Sequence, residues 1–313
     1  MPGNERYLLI KAWGAGFWSD TMHVAGQLLI AEITGRIPVV YWGVESLYHA
    51  PDPYERDAFG IYFEPVSGRT IEDLSNPDFT YFPRRWNANN LRTLTRFSLD
   101  DFKDFSDIKS VLEREEDVLV NDVYLWAEHI SPFLPEGHPA YGKNAEEVNR
   151  YLFQKYFKPS PAMQEKVDSF YRDRMSGRHP VIGAHIRGSD KVKEYQLLHE
   201  VNRRYPERIN QYLQLYPNAS IYIMTDEERI LSEYKERYGD RLIYTGSMRT
   251  PNEAIGVHEL TQFSREAKGW DIVQETFLAL RCDHFLGNYA SNVTKAISWL
   301  KNWEAGSLEW LNL

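Results

Sequence analysis

The side chains best suited to chemistry are densest between positions 181 and 194. An apolar run, Val181-Ile182-Gly183-Ala184-His185-Ile186, ends in Arg187-Gly188-Ser189-Asp190-Lys191, and Glu194 follows closely. The run reads as a short buried strand over 181–186, so the polar cluster falls at its C-terminal end, where open α/β sheets place their ligand crevices. Together the residue types suit one task. His185 can hydrogen-bond a base, Arg187 can neutralise a diphosphate through parallel N–H donors, and Asp190, Lys191 or Glu194 can handle a proton or hold charge. A solvated strand end explains the same charges without any function. Whether it is a site turns on what neighbouring strands bring to the same edge.

Two more polar strand ends occur in this half of the chain. Thr225-Asp226 follows the strand expected over 220–224, and Asn288-Tyr289-Ala290-Ser291-Asn292 links a strand over 284–287 to a helix over 291–303. Ser291 and Asn292 can present backbone N–H groups and side-chain donors to a phosphate at a helix N-terminus, or Ser291 is simply an N-cap. Helices expected near 194–215, 227–238 and 269–281, with a strand over 242–244, complete a doubly wound α/β domain.

The first half opens with a strand over 7–13, the turn Gly14-Ala15-Gly16, a helix over 19–34 capped by Ser19 or Asp20, and a strand over 38–42. This is a βαβ unit and implies a parallel sheet. Gly14 and Gly16 would let the backbone approach an anion, but the dinucleotide fingerprint is incomplete. Ser19 stands where its third glycine belongs, and no acidic residue lies about 20 positions further on. A tight turn without a ligand is the alternative. Residues 43–99 read as long loops, in which Arg84-Arg85-Trp86-Asn87 with Tyr48, Tyr54 and Tyr62 either line an acceptor groove or pack locally.

Composition frames these elements. A chain of 313 residues, 42% apolar and 26% charged, suits two soluble domains. We place the boundary after a helix over 162–175, giving an acceptor-side domain 1–175 and a donor-binding domain 176–313 whose last helix is a candidate to pack back on the first. A net charge of −9 argues against nucleic acid as the main partner. The lone cysteine, Cys282, excludes an internal disulfide and a cysteine metal cluster. The opening apolar run, Tyr7-Leu8-Leu9-Ile10, is too short for a signal segment or a membrane span, so the expectation is a cytoplasmic protein with no integral membrane segment.

The stretch His185-Ile186-Arg187-Gly188-Ser189-Asp190-Lys191-Val192 resembles the His-Val-Arg-Arg-Thr-Asp-Lys-Val signature of the α1,6-fucosyltransferases that modify N-glycan cores and nodulation factors. The resemblance continues in order. Ile221 to Glu227 is similar to that family's strand ending in Thr-Asp-Asp, and Cys282 to Val293 to its Ala-Asp-Phe-Leu-Val-Cys-Thr-Phe-Ser-Ser-Gln-Val segment. Gly14-Ala15-Gly16-Phe17, with His23-Val24 and Ile30-Ala31, resembles its opening.

This resemblance implies a GT-B-like α/β fold, two Rossmann-type domains with a cleft between them, and a metal-independent inverting transferase. It would move fucose from GDP-fucose, a donor substrate rather than a cofactor, to a hydroxyl of a glycan or other acceptor. Residue by residue, it implies His185 at guanine, Arg187 at the β-phosphate, and Ser291 and Asn292 at the phosphates. Asp226 lines the donor site, and Glu275, by spacing back from Ser291, takes the place of a guanine-reading aspartate. Glu194, one position short of the family's glutamate, or Asp190 would be the base, with Lys191 beside it. Gly188 departs from the family, which has a second arginine there. Another GDP-sugar, or a non-catalytic nucleotide- or glycan-binding module, stays open beside this reading. Asn292-Val293-Thr294 is a formal glycosylation sequon inside the expected pocket, where modification would obstruct binding.

Overall fold

A computed structural model describes residues 5–95, 108–121, 123–189, 195–251 and 255–311. The chain divides into two compact units, Met1–Ser160 and Pro161–Leu313. The helix Pro161–Arg174, expected to close the first domain, instead packs on the helix Arg265–Ala279 of the second. Arg281 and Asp168, 2.6 Å apart, fasten it to that unit.

In the first unit, β1 (Tyr7–Lys11), β2 (Ile37–Tyr41), β3 (Tyr81–Phe82) and β4 (Val118–Asn121) form a parallel sheet in the order β2-β1-β4-β3. The helix Phe17–Thr34 makes the crossover from β1 to β2, and Gly35 ends it in the left-handed region at φ 66°. There a side chain would be strained, which is why glycine is common at this cap. The helix begins at Phe17, earlier than expected, because Asp20 caps the preceding turn rather than its own helix. Its carboxylate accepts from the backbone N–H groups of Trp13, Gly14 and Ala15 at 3.1–3.2 Å.

In the second unit, β5 (Val181–Ile186), β6 (Ser220–Thr225), β7 (Leu242–Ile243), β8 (His284–Gly287) and β9 (Leu308–Trp310) form another parallel sheet, ordered β7-β6-β5-β8-β9. β5 is central and all six of its residues are buried, which is why its sequence is a continuous apolar run rather than an alternating one. On one face, Ile182, Ala184 and Ile186 meet Val201, Tyr205 and Ile209 of the helix Leu198–Leu215. Full burial of a large apolar side chain contributes roughly 1.5–3 kcal/mol before entropy is counted. On the other face the fit is closer still. A Cβ on Gly183 would stand 2.6 Å from the Phe285 ring and 2.9 Å from Cys282 Sγ. The last helix, Asn292–Leu300, packs against Arg265–Ala279 of its own unit, and the chain beyond it adds β9 to the sheet edge. Among the described residues no helix is long and apolar enough to cross a membrane.

Candidate active site

The parallel register of β5 and β6 pairs Ile186 with Thr225, so the next residues, Arg187 and Asp226, leave neighbouring strands side by side. They form an ion pair in which the side chains are 24% and 11% exposed. Asp226 also accepts from the Gly188 N–H at 2.8 Å and from the Ser189 hydroxyl. One carboxylate thus holds the guanidinium and ties down the turn behind it, in which Ser189 adopts φ 45°. Gly188 has a steric cause as well. A Cβ there would lie 2.9 Å from Ile230 Cδ1 and 3.1 Å from Glu227 Cβ, so the family's second arginine has no room. Glu227 is buried and paired with Arg229 at 2.8 Å.

His185 precedes this pair on β5 and is 5% exposed. Its Nδ1 lies 3.0 Å from the Thr294 hydroxyl, and its carbonyl accepts from Tyr205 Oη at 2.7 Å. Burial lowers the imidazole to about 4, with Asp226 opposing the shift and Arg187 adding to it. The ring is therefore neutral at pH 7, with one donor and one acceptor nitrogen. Thr294 was not foreseen as a partner. It reaches β8 because Gly287 has no side chain: a Cβ there would stand 2.8 Å from the Thr294 hydroxyl.

Ser291 occupies the N-cap of the helix Asn292–Leu300, yet its side chain makes no capping hydrogen bond. The first N–H groups of that helix, and the positive end of its dipole, are presented beside the end of β8. The β5, β6 and β8 ends therefore bring together His185, Arg187, Asp226, Thr294 and the Ser291-Asn292 helix start. An anion meeting Arg187 and this helix start would have a neutral hydrogen-bonding ring nearby.

Other expected residues are placed differently. The N–H groups of Trp13, Gly14 and Ala15 are taken by Asp20, so this part of the turn holds an internal carboxylate. Glu275 is buried with Arg249, 3.5 Å away, and hydrogen-bonds to Thr245 and Ser247, so its carboxylate already has partners inside the protein. Its burial raises its pKa above the usual carboxylate range. Tyr48, Tyr62 and Trp86 are core residues rather than a groove: Tyr62 Oη donates to the Tyr48 carbonyl at 2.7 Å, and Lys11 sits over the Trp86 ring. Tyr54 alone of the three tyrosines is exposed, at 49%. Asp190, Lys191 and Glu194 lie outside the described residues.

Residues 148–296 match the family model for alpha-(1,6)-fucosyltransferase N- and catalytic domains. This span is similar to the α1,6-fucosyltransferases. The matched span contains His185, Arg187, Asp226, Glu275, Ser291 and Asn292, and excludes Gly14 and Gly16. Nodulation protein Z of Sinorhizobium fredii (strain NBRC 101917 / NGR234) is 22% identical over 271 residues, covering 78% of this chain and 76% of that protein. Among solved structures, NodZ α-1,6-fucosyltransferase co-crystallised with GDP superposes with a TM-score of 0.61 at 20% identity, covering 94% of this chain and 91% of the other. POFUT1 in complex with GDP-fucose gives 0.58 at 13% identity, covering 99% and 98%. The α/β fold of the chain is the GT-B-like fold of these structures.

Proposed function

We propose that this chain is a fucosyltransferase that transfers fucose from GDP-fucose to a hydroxyl of a glycan or other acceptor, with inversion and without a metal. The observation that carries the reading is Arg187, held by Asp226 at the end of β5, between a neutral buried His185 and the helix start at Ser291-Asn292. In the transfer, the acceptor oxygen bonds to the anomeric carbon as the bond from that carbon to the β-phosphate oxygen breaks. The electron pair leaves with GDP, and the acceptor proton passes to a base. Negative charge grows on the β-phosphate, where a guanidinium that never deprotonates and a row of helix N–H groups stabilise it.

His185 meets guanine in this reading. Ser291 and Asn292 meet the phosphates, and Asp226 positions Arg187 rather than touching the anion. Glu275 takes the guanine N1–H beside the partners it already has. Glu194 or Asp190 supplies the base, with Lys191 beside it. The single, buried cysteine supports a reducing, cytoplasmic setting.

The test is transfer and hydrolysis of GDP-fucose by the wild-type protein and by Arg187→Ala, with binding of GDP and UDP followed by thermal shift. Loss of one preorganised charge-stabilising donor typically costs about 100- to 1000-fold in turnover, and that is the fall expected of Arg187→Ala. Turnover near wild type in the variant overturns the assignment. Stabilisation by UDP as strong as by GDP would dismiss the guanine site, and faster turnover of another GDP-sugar would replace fucose. Stabilisation by GDP without turnover of any GDP-sugar would identify a binding module.

A further inference from the structure

Two asparagines beside the donor edge have no role in the transfer just described. Asn288 is 2% exposed, and among the described residues neither its Oδ1 nor its Nδ2 meets a hydrogen-bond partner. Asn202 donates through Nδ2 to the Arg187 carbonyl at 2.8 Å, while its own Oδ1 is buried without a partner among the described residues. Leaving a buried amide unpaired destabilises a protein, and such groups are rare unless something beyond the chain completes them.

Register and alternation place both on one side of the sheet. Leu286 of β8 pairs with Ala184 of β5, so Asn288, two residues on, stands abreast of Ile186 and one residue short of Arg187. On β8, His284 packs its ring 4.9 Å from Tyr212, and Leu286 joins Val201, Tyr205 and Ile209 in the core. Gly287 faces the opposite way, toward Thr294. Continuing the alternation turns Asn288 toward the helix Leu198–Leu215, which carries Asn202. His185, with its Thr294 contact, is on the other side.

We propose that Asn288, with Asn202 beside it, forms the subsite that reads the hydroxyl groups of the GDP-linked hexose. The proposal rests on the donor reading above. With the diphosphate between Arg187 and the Ser291-Asn292 N–H groups, the sugar joined to it projects from the same strand ends, and Asn288 lies three residues before Ser291. A primary amide offers a donor and an acceptor on one edge. Two neighbouring ring hydroxyls can meet both, one accepting from Nδ2 and the other donating to Oδ1. The Asn202 Oδ1 provides a further acceptor. Guanine also carries a donor and acceptor edge, but its place beside His185 is across the sheet from the asparagines.

The test is calorimetric binding of GDP and of GDP-fucose to wild type, Asn288→Leu, Asn288→Ala and Asn202→Ala, together with melting of each ligand-free protein. Removing a sugar hydrogen bond to a buried amide should lower the ratio of GDP-fucose to GDP affinity about tenfold from its wild-type value, with GDP affinity itself held. Ligand-free Asn288→Leu should melt no lower than wild type, since it removes an unpaired polar group. An unchanged ratio in both Asn288 variants overturns the proposal, as does an equal loss of GDP and GDP-fucose affinity. Should either Asn288 variant fail to fold, the same ratio in Asn202→Ala decides. Wild-type protein that binds neither ligand would overturn the donor reading and the subsite with it, a result distinct from loss in the variants alone.

Discussion

Replacing Asp226 by Asn separates the charge of this residue from its shape, and the structure sets opposite expectations for folding and binding. The carboxylate serves the Gly188 N–H at 2.8 Å, the Ser189 hydroxyl and the Arg187 guanidinium. An amide oxygen can keep the first of these, while its NH2 group faces the guanidinium with no acceptor to offer. Hydrogen bonds to charged groups are worth about 1.5–3 kcal/mol each. Two are weakened, and the Arg187 side chain is 24% exposed, so solvent returns part of the loss. The net expectation is about 3 kcal/mol of destabilisation, roughly 6–12 °C in Tm for a unit of this size. Binding should move the other way. In the wild type Asp226 neutralises Arg187, and a diphosphate must compete with it; in Asp226→Asn the site gains one net positive charge. At an effective dielectric near 20, removing one like charge several ångströms from a phosphate is worth on the order of 1 kcal/mol or more, or about fivefold in affinity. Thermal unfolding and GDP calorimetry at two salt concentrations check both, and the affinity gain should shrink at high salt. A variant that melts with wild type, or that binds GDP as poorly as Arg187→Ala, would refute the view of Asp226 as a clamp outside the donor contacts.

Three further outcomes follow from the same geometry. His185 is held near pKa 4 against an ordinary value near 6.5, so between those values the unfolded chain binds the extra proton and stability falls as pH falls. About 3 kcal/mol should be present above pH 6.5 and lost toward pH 4, and urea unfolding at pH 7 and 4.5 should show a smaller loss in His185→Gln than in wild type. Parallel losses in the two proteins would reject this. Gly188→Ala should cost about 1–3 kcal/mol by crowding Glu227 and Ile230, and Gly188→Arg should be less stable still without binding GDP more tightly; denaturation and calorimetry decide. Asp20→Ala strips the acceptor from three backbone N–H groups and should destabilise the first unit by about 2–4 kcal/mol, whereas Gly16→Ala, with open space at its Cβ, should melt and bind GDP as wild type. Lost GDP affinity in Gly16→Ala would return the glycine turn to the donor site.

The sequence revealed most where one strand or helix determines its own pattern. β5 was legible to the residue because a central parallel strand is buried on both faces. β9 was not, since Glu309 sits in the middle of three strand residues and is explained by Arg208, 2.5 Å away, and the Tyr212 hydroxyl at 3.4 Å, both on a helix about a hundred positions earlier. Asp20 has the residue type of a helix N-cap, and only the fold of the turn before it shows that it caps that turn instead. Tyr48, Tyr62 and Trp86 carry amphipathic side chains that suit a sugar groove as well as a core, so burial alone could distinguish the two.

The candidate site follows the same division. Arg187 and His185 could be singled out by type and by their position at a strand end, because chemistry and local pattern agree there. Their partners could not, because those depend on register. Asp226 clamps Arg187 only because Ile186 pairs with Thr225, and His185 is neutral because Thr294 and the helix that carries it close over the strand. A one-residue slip of β6 would turn Asp226 to the other face of the sheet and leave Arg187 a solvated cation. The donor edge is thus set by strand pairing as much as by residue type. That is also why Asn288, whose sequence context is an ordinary strand-to-helix turn, becomes notable only when its neighbours are known and neither end of its amide is satisfied.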